Sequence, residues 1–170
     1  MRREPEILSP TRKERYDRIL EILSGASFIW ALYPLLYWDE LADTAIPIHF
    51  DIRGTADGWG GRSYLLIMPI IAAVLFTGLS ISEKYYKKFN YPVKVSDHNR
   101  NTLYRLGVRM MRHIKLEITV MFACINNLSF FTVFHGHSIT GVGLVFQVLI
   151  VLLFVSPLYF ILRMAGSRCD

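Results

Sequence analysis

Histidine and aspartate gather in one polar stretch of this sequence, and they are its residues best suited to chemistry. His49, Asp51 and Asp57 lie within residues 39–62, and His135 and His137 lie in a second short polar stretch, residues 135–141. Imidazole and carboxylate together form a ligand set for a divalent metal such as zinc. On an extended Ile46-Pro47-Ile48-His49-Phe50-Asp51, His49 and Asp51 occupy alternate positions and share a face. Asp43, Asp57, His135 and His137 could complete the site, the last two together only from an extended segment. The same residues also suit an architectural part. His49 and Asp57 would pin the loop by hydrogen bonds, Gly54, Gly58, Gly60 and Gly61 would supply turns, and Trp59 would anchor at lipid headgroups. A surface that recognises a peptide or a lipid is the third reading.

The flanks decide where this stretch sits. Hydrophobic residues make up 52% of the 170, and they are gathered into four runs with the charges crowded between them. A soluble domain interleaves its charges at a period of 2 or 3.6, so this pattern predicts a polytopic membrane protein. The expected fold is all-α, an integral membrane four-helix bundle with spans at about 19–38, 63–82, 116–134 and 142–162. Residues 1–18 read as a cytoplasmic tail that enters a helix near Thr11, 39–62 as an ordered outer loop and 83–115 as a basic cytoplasmic segment. The second half of that segment reads as an amphipathic helix capped by Ser96 or Asp97. No small-x-small cleavage site closes the first run, which argues against a signal peptide.

Lys and Arg set the orientation. The tail holds six, the loop after the first span two, the basic segment nine, the loop after the third span none and the final residues two. Positive-inside then predicts N-in/C-in, with 39–62 and 135–141 outside. The net charge of +5 follows from that bias, and nucleic acid is not an expected partner. Arg105, Arg109 and Arg112 recur at i, i+4, i+7 and predict a face that meets anionic lipid or a cytoplasmic regulator.

Several polar residues fall inside the apolar runs. Pro34 should kink the first span and free a carbonyl that neighbouring helices must cover, and Pro69 falls in the first half of the second span. Asn126 and Asn127 read as glue between helices or, less simply, as part of a substrate site. Glu117 reads either as a group that snorkels or pairs with Lys115 or Arg112, or as part of a proton relay. Cys124 and Cys169 have no disulfide or metal spacing. No nucleotide loop, nucleophile elbow or zinc-protease helix is present, so nothing in the sequence positively supports an enzyme.

The loop also resembles a known family. Leu41-x-Asp43, Ile46-Pro47-Ile48-His49-Phe50-Asp51, Gly54 and Asp57-Gly58-Trp59-Gly60 are similar to the signature of a bacterial membrane family of unknown function (domain of unknown function 1648). The same domain forms the N-terminal half of Sdp-type immunity proteins, which protect a cell from its own secreted toxic peptide. A second block, 89–94 with Tyr104-Arg105-Leu106 and Met110-Met111-Arg112, resembles the family's cytoplasmic segment. Ala42 stands where the family has Pro, Asp51 where it has Asn, and Gly61-Arg62 where it has Ser-Lys. The immunity proteins' C-terminal domain has no counterpart, so the resemblance points to the family more than to immunity.

The expected protein is therefore a multi-pass component of a bacterial cytoplasmic (inner) membrane. It is expected to be non-catalytic, binding or sensing an envelope ligand or peptide through the outer loop in an immunity-like way. A metal site at the outer face and an accessory subunit of a transporter are the alternatives. The loop motif to follow is Pro47, His49, Phe50, Asp51, Gly54, Asp57, Trp59 and Gly60.

Overall fold

The computed structural model describes residues 14–136 and 142–167. Four helices carry the fold: α1 (Arg15–Ala31), α2 (Tyr64–Ser82), α3 (Arg100–His135) and α4 (Val142–Ala165). All four are long and apolar enough to cross a membrane. Their outward faces are apolar and exposed, with Ile22, Ile29, Val74, Phe154 and Leu162 among them, as lipid contact requires. The chain is a membrane protein, and the bundle expected from the blocked hydropathy is present.

α3 differs from the expected arrangement. The amphipathic helix and the third span form one continuous helix of 36 residues, about 54 Å long at 1.5 Å per residue. That exceeds the ~30 Å hydrocarbon core, so the basic half projects beyond it as part of the same rod. The other three helices all pack on α3. Its start is set by Asn99, whose Oδ1 accepts the Ser96 N–H at 2.8 Å. The Asn99 amide donates in turn to Lys94 O and to Ser167 O, which ties the end of α4 to the start of α3. α1 begins at Arg15, ahead of the expected span at 19, and Asp17 in its first turn is buried.

α1 ends where Pro34 forces a short 3-10 turn, Tyr33–Tyr37. Proline has no N–H to give the carbonyl four residues back, so Trp30 O loses its regular helical donor and keeps a lone pair open beside the Leu32 cap N–H. Leu35 N–H turns to Leu32 O at 3.0 Å, so Ala31 O is open too. Pro69 does the same to Leu65 O in α2. Two adjacent amides on α3 close all three. Asn126 Nδ2 donates to Ala31 O at 2.8 Å and to Leu65 O at 3.1 Å, and Asn127 Nδ2 donates to Trp30 O at 2.9 Å. Both side chains are buried. They join three helices through carbonyls that prolines have opened.

Two apolar clusters hold the ends of the bundle. At one, Leu41, Ile46, Leu65 and Phe130 pack with Tyr33, Tyr37 and Phe131. At the other, Leu103, Leu106, Phe160 and Met164 pack with Tyr91 and Val93. Gly107 lets the Phe89 and Tyr91 rings lie directly on α3, since a Cβ there would come 2.9 Å from the Tyr91 hydroxyl. Burial pushes the Tyr91 phenol above its usual range, and its hydroxyl donates to Tyr86 O at 2.7 Å.

Candidate functional site

The polar loop is not helical. Residues Ile46–Phe50 (β1) and Ala56–Gly60 (β2) form an antiparallel hairpin, with Ile46 opposite Gly60 and Pro47 opposite Trp59. Pro47 suits a two-stranded ribbon, where a missing donor can face away from the ladder. Three residues, Ile52-Arg53-Gly54, make the turn. Asp51 N–H donates to Thr55 O at 2.8 Å, and Gly54 lies in the left-handed region at φ 85°. A three-residue hairpin loop closed by a left-handed glycine is a common solution. Gly60 is pressed against the Tyr64 ring, with no room for a Cβ.

This hairpin separates the residues that the sequence placed on one face. The register slips between Pro47 and His49 and again between His49 and Phe50, so strict alternation is broken before Asp51. Asp51 lies past the end of β1, and its Oδ1 accepts the Arg53 and Thr55 N–H groups, each at 2.8 Å. The Thr55 amide, followed by the Arg53 amide and the Arg53 charge, holds this exposed carboxyl below the usual carboxylate range. Asp51 thus fastens the turn. His49 Nδ1 instead bonds Asp57 Oδ1 across the two strands, both side chains standing open to solvent. Trp59 is also exposed, and Pro47 beside it is buried.

His135 closes α3 with its ring against Phe131, and His137 lies outside the described residues. Among the described residues, no three histidine, cysteine, aspartate or glutamate side chains converge to hold a metal ion. Arg62 is the loop residue that sequence reasoning passed over. Its guanidinium donates to Trp38 O at 2.7 Å and lies over the Trp38 ring at 4.6 Å, closing the base of the loop.

Beneath the hairpin lies a half-enclosed cavity of about 340 Å³. Its walls come from Ile48 and Phe50 of β1, Met68 of α2, Met121 and Ile125 of α3, and Phe146 and Ile150 of α4. The polar side chains lining it are His49, Asp51 and Gln147. Gln147 Nε2 donates to Ile52 O at 3.1 Å, and Gly143 lies against the Arg53 carbonyl. α4 therefore supports the hairpin over the cavity. Backbone contact at Gly143 explains why a glycine opens this helix, a signal that was present in the sequence without a partner to interpret it.

The arginine face at the other end is turned mostly inward. Arg105 is half exposed and reaches Glu14 at 3.7 Å. Arg109 pairs with Glu14 and, through Nε, with Asp17 at 3.2 Å. Arg112 is buried, pairing with Asp17 at 3.2 Å and Glu83 at 2.9 Å. Lys115 is buried beside it, at 2.6 Å from Glu21 and 2.8 Å from Glu83. The lipid-facing stripe expected from i, i+4, i+7 is thus an ion-pair seam joining α1, α2 and α3. Burying these cations requires partners, and Asp17, Glu21 and Glu83 supply them from other helices.

Comparison with known proteins agrees with the loop signature. Residues 26–73 match the model of a domain of unknown function (DUF1648), from the middle of α1 through the hairpin into α2. An uncharacterized protein of the archaeon Archaeoglobus fulgidus is 24% identical over 149 residues, covering 81% of this chain and 79% of its own. No solved structure matches. The signature residues Ile46 to Gly60 are those of the hairpin and its turn, and they lie within the residues 26–73 that match the DUF1648 model.

Proposed function

We propose that this protein is a non-catalytic receptor in the membrane that binds an amphiphile at its hairpin. The observation that carries this reading is the cavity of about 340 Å³, apolar in its walls, with His49, Asp51 and Gln147 as its polar side chains. Such pockets bind apolar groups and orient them by a few polar contacts. The geometry suits one acyl chain, or the apolar side of an envelope peptide, with its polar end among the hairpin residues. The Lys and Arg distribution supports a hairpin on the outer face with both chain ends in the cytoplasm. Protection against an envelope agent, or detection of one, is the role that fits this placement.

Native mass spectrometry with an added single-chain lysophospholipid tests the reading. The wild type is expected to retain one molecule per chain. Ile125→Phe with Ile150→Phe fills the cavity and should abolish retention, while Ile22→Phe on the lipid-facing side should not. Equal retention by all three proteins would remove the cavity as the binding site. Elemental analysis of the same samples separates the metal reading. His49→Ala is expected to leave metal content unchanged, and a stoichiometric ion lost in that variant would favour a metal centre.

A further inference from the structure

A second cavity opens at the opposite end of the bundle, between α1, α3 and α4, with a volume of about 600 Å³. Arg109, His113 and Glu117 line it from α3 at successive i, i+4 positions, which lie one above another on a helix face. Tyr16 enters from α1, and Ser156, Tyr159 and Arg163 from α4. Of these, Glu117 stands deepest in the apolar part of α3. Its Oε2 and the Ser156 Oγ are both buried and make no hydrogen bond of normal geometry among the described residues, the neutral serine hydroxyl being the polar group beside the carboxyl.

Among the described residues, the cations on the neighbouring turns and on the groove wall are engaged elsewhere. Lys115 holds Glu21 and Glu83, and Arg112 holds Asp17 and Glu83. Arg109 at the groove wall is held by Glu14 and Asp17. Arg163 lies over the Tyr159 ring and donates to its hydroxyl at 3.1 Å. His113 is bonded through Nε2 to the Tyr16 hydroxyl at 2.7 Å, its ring 5.1 Å from Phe160. The two groove arginines disfavour a second cation there. An unpaired carboxylate in the membrane interior is costly, and such groups mark functional sites.

We propose that Glu117 is a proton-binding site, exchanging with water through this groove. The proton reaches Oε2 from groove water and returns to it, and no bond between heavy atoms changes. At roughly 30 Å³ per water molecule the groove is ample for a water path. Met121, one helical turn further on, belongs to the apolar wall of the hairpin cavity. The groove opens where α1 starts and α4 ends, and access to Glu117 is proposed from that side.

Infrared difference spectroscopy of the purified full chain tests this. The wild type should show a protonated-carboxyl C=O band that shifts in D₂O and disappears in Glu117→Gln. Glu117→Asp, which keeps the carboxyl, should retain a displaced band even if Glu117→Gln folds poorly. Val155→Trp, which fills the groove, should slow the D₂O shift several-fold while leaving the band in place. A wild-type spectrum with no band that these variants alter overturns the site. A D₂O shift equally fast in Val155→Trp overturns the route.

Discussion

Asn126 offers the sharpest test of how this bundle is held, because its two bonds have a stated cause. Asn126→Leu keeps the volume and removes the donors to Ala31 O and Leu65 O. Hydrogen bonds between helices in a membrane contribute about 0.6 kcal/mol on average and about 1.7 at most. Losing both should therefore cost about 1–3 kcal/mol. Pro69→Ala restores an N–H that can reach Leu65 O within α2. In that background Asn126→Leu has one carbonyl less to abandon, so the double mutant should be more stable than the sum of singles by about 0.6–1.7 kcal/mol. Pro157→Ala in α4 is the control and should simply add, because Asn126 bonds only α1 and α2 among the helices around it. Reversible unfolding in mixed micelles, followed by circular dichroism, measures each corner of the cycle. If Asn126→Leu and Pro69→Ala add to within about 0.5 kcal/mol, the usual scatter for independent sites, the amide does not replace the proline's missing donor.

The ion-pair seam should respond asymmetrically to charge removal. Glu83→Gln leaves Arg112 and Lys115 short of a counter-charge in a buried setting, and should cost about 3–5 kcal/mol by the same unfolding assay. Adding Lys115→Met should recover a large part of that loss, and a double mutant no better than the single would refute an ion pair as the reason. The hairpin should loosen in acid. Asp51 has a depressed folded pKa, so its contribution is present above the unfolded value of about 3.9 and is lost as pH falls through the folded value. Hydrogen exchange at the Thr55 amide should accelerate, relative to an exposed reference amide, below about pH 3.9. Asp51→Asn, which keeps an acceptor oxygen and cannot titrate, should show no such step.

The bundle was legible in the sequence because hydropathy is a property of each segment alone. Four runs long enough to span are visible without knowing what they touch. The seam was not legible in that way. Arg105, Arg109 and Arg112 share a face by helical spacing alone, but spacing does not say whether the face meets lipid or the carboxylates of Glu14, Asp17, Glu21 and Glu83. Asp17 and Glu21 carried the missing signal, being themselves i, i+4 on α1, but spacing on one helix does not name the helix that it faces. The His49 and Asp51 pairing failed for the opposite reason: alternation holds within a regular strand, and two register slips and the strand's end intervene.

Asn126 and Asn127 show how far sequence reading reaches. That Pro34 and Pro69 must leave open carbonyls follows from proline's chemistry, and that two mid-span asparagines must find acceptors follows from theirs. Each half of the pairing was visible. The join is between helices, and it requires that the end of α1, the first half of α2 and the middle of α3 meet at one level. That constraint also explains why the hairpin sits where it does. Pro34 ends α1 early and starts the turn into the loop, while Pro69 lies one turn into α2 beyond the loop. The amides that repair both breaks fix the two stems of the hairpin against α3. Fixing the stems holds the hairpin above Met121 and Ile125, so the polar pair buried in the membrane positions the cavity that the loop covers.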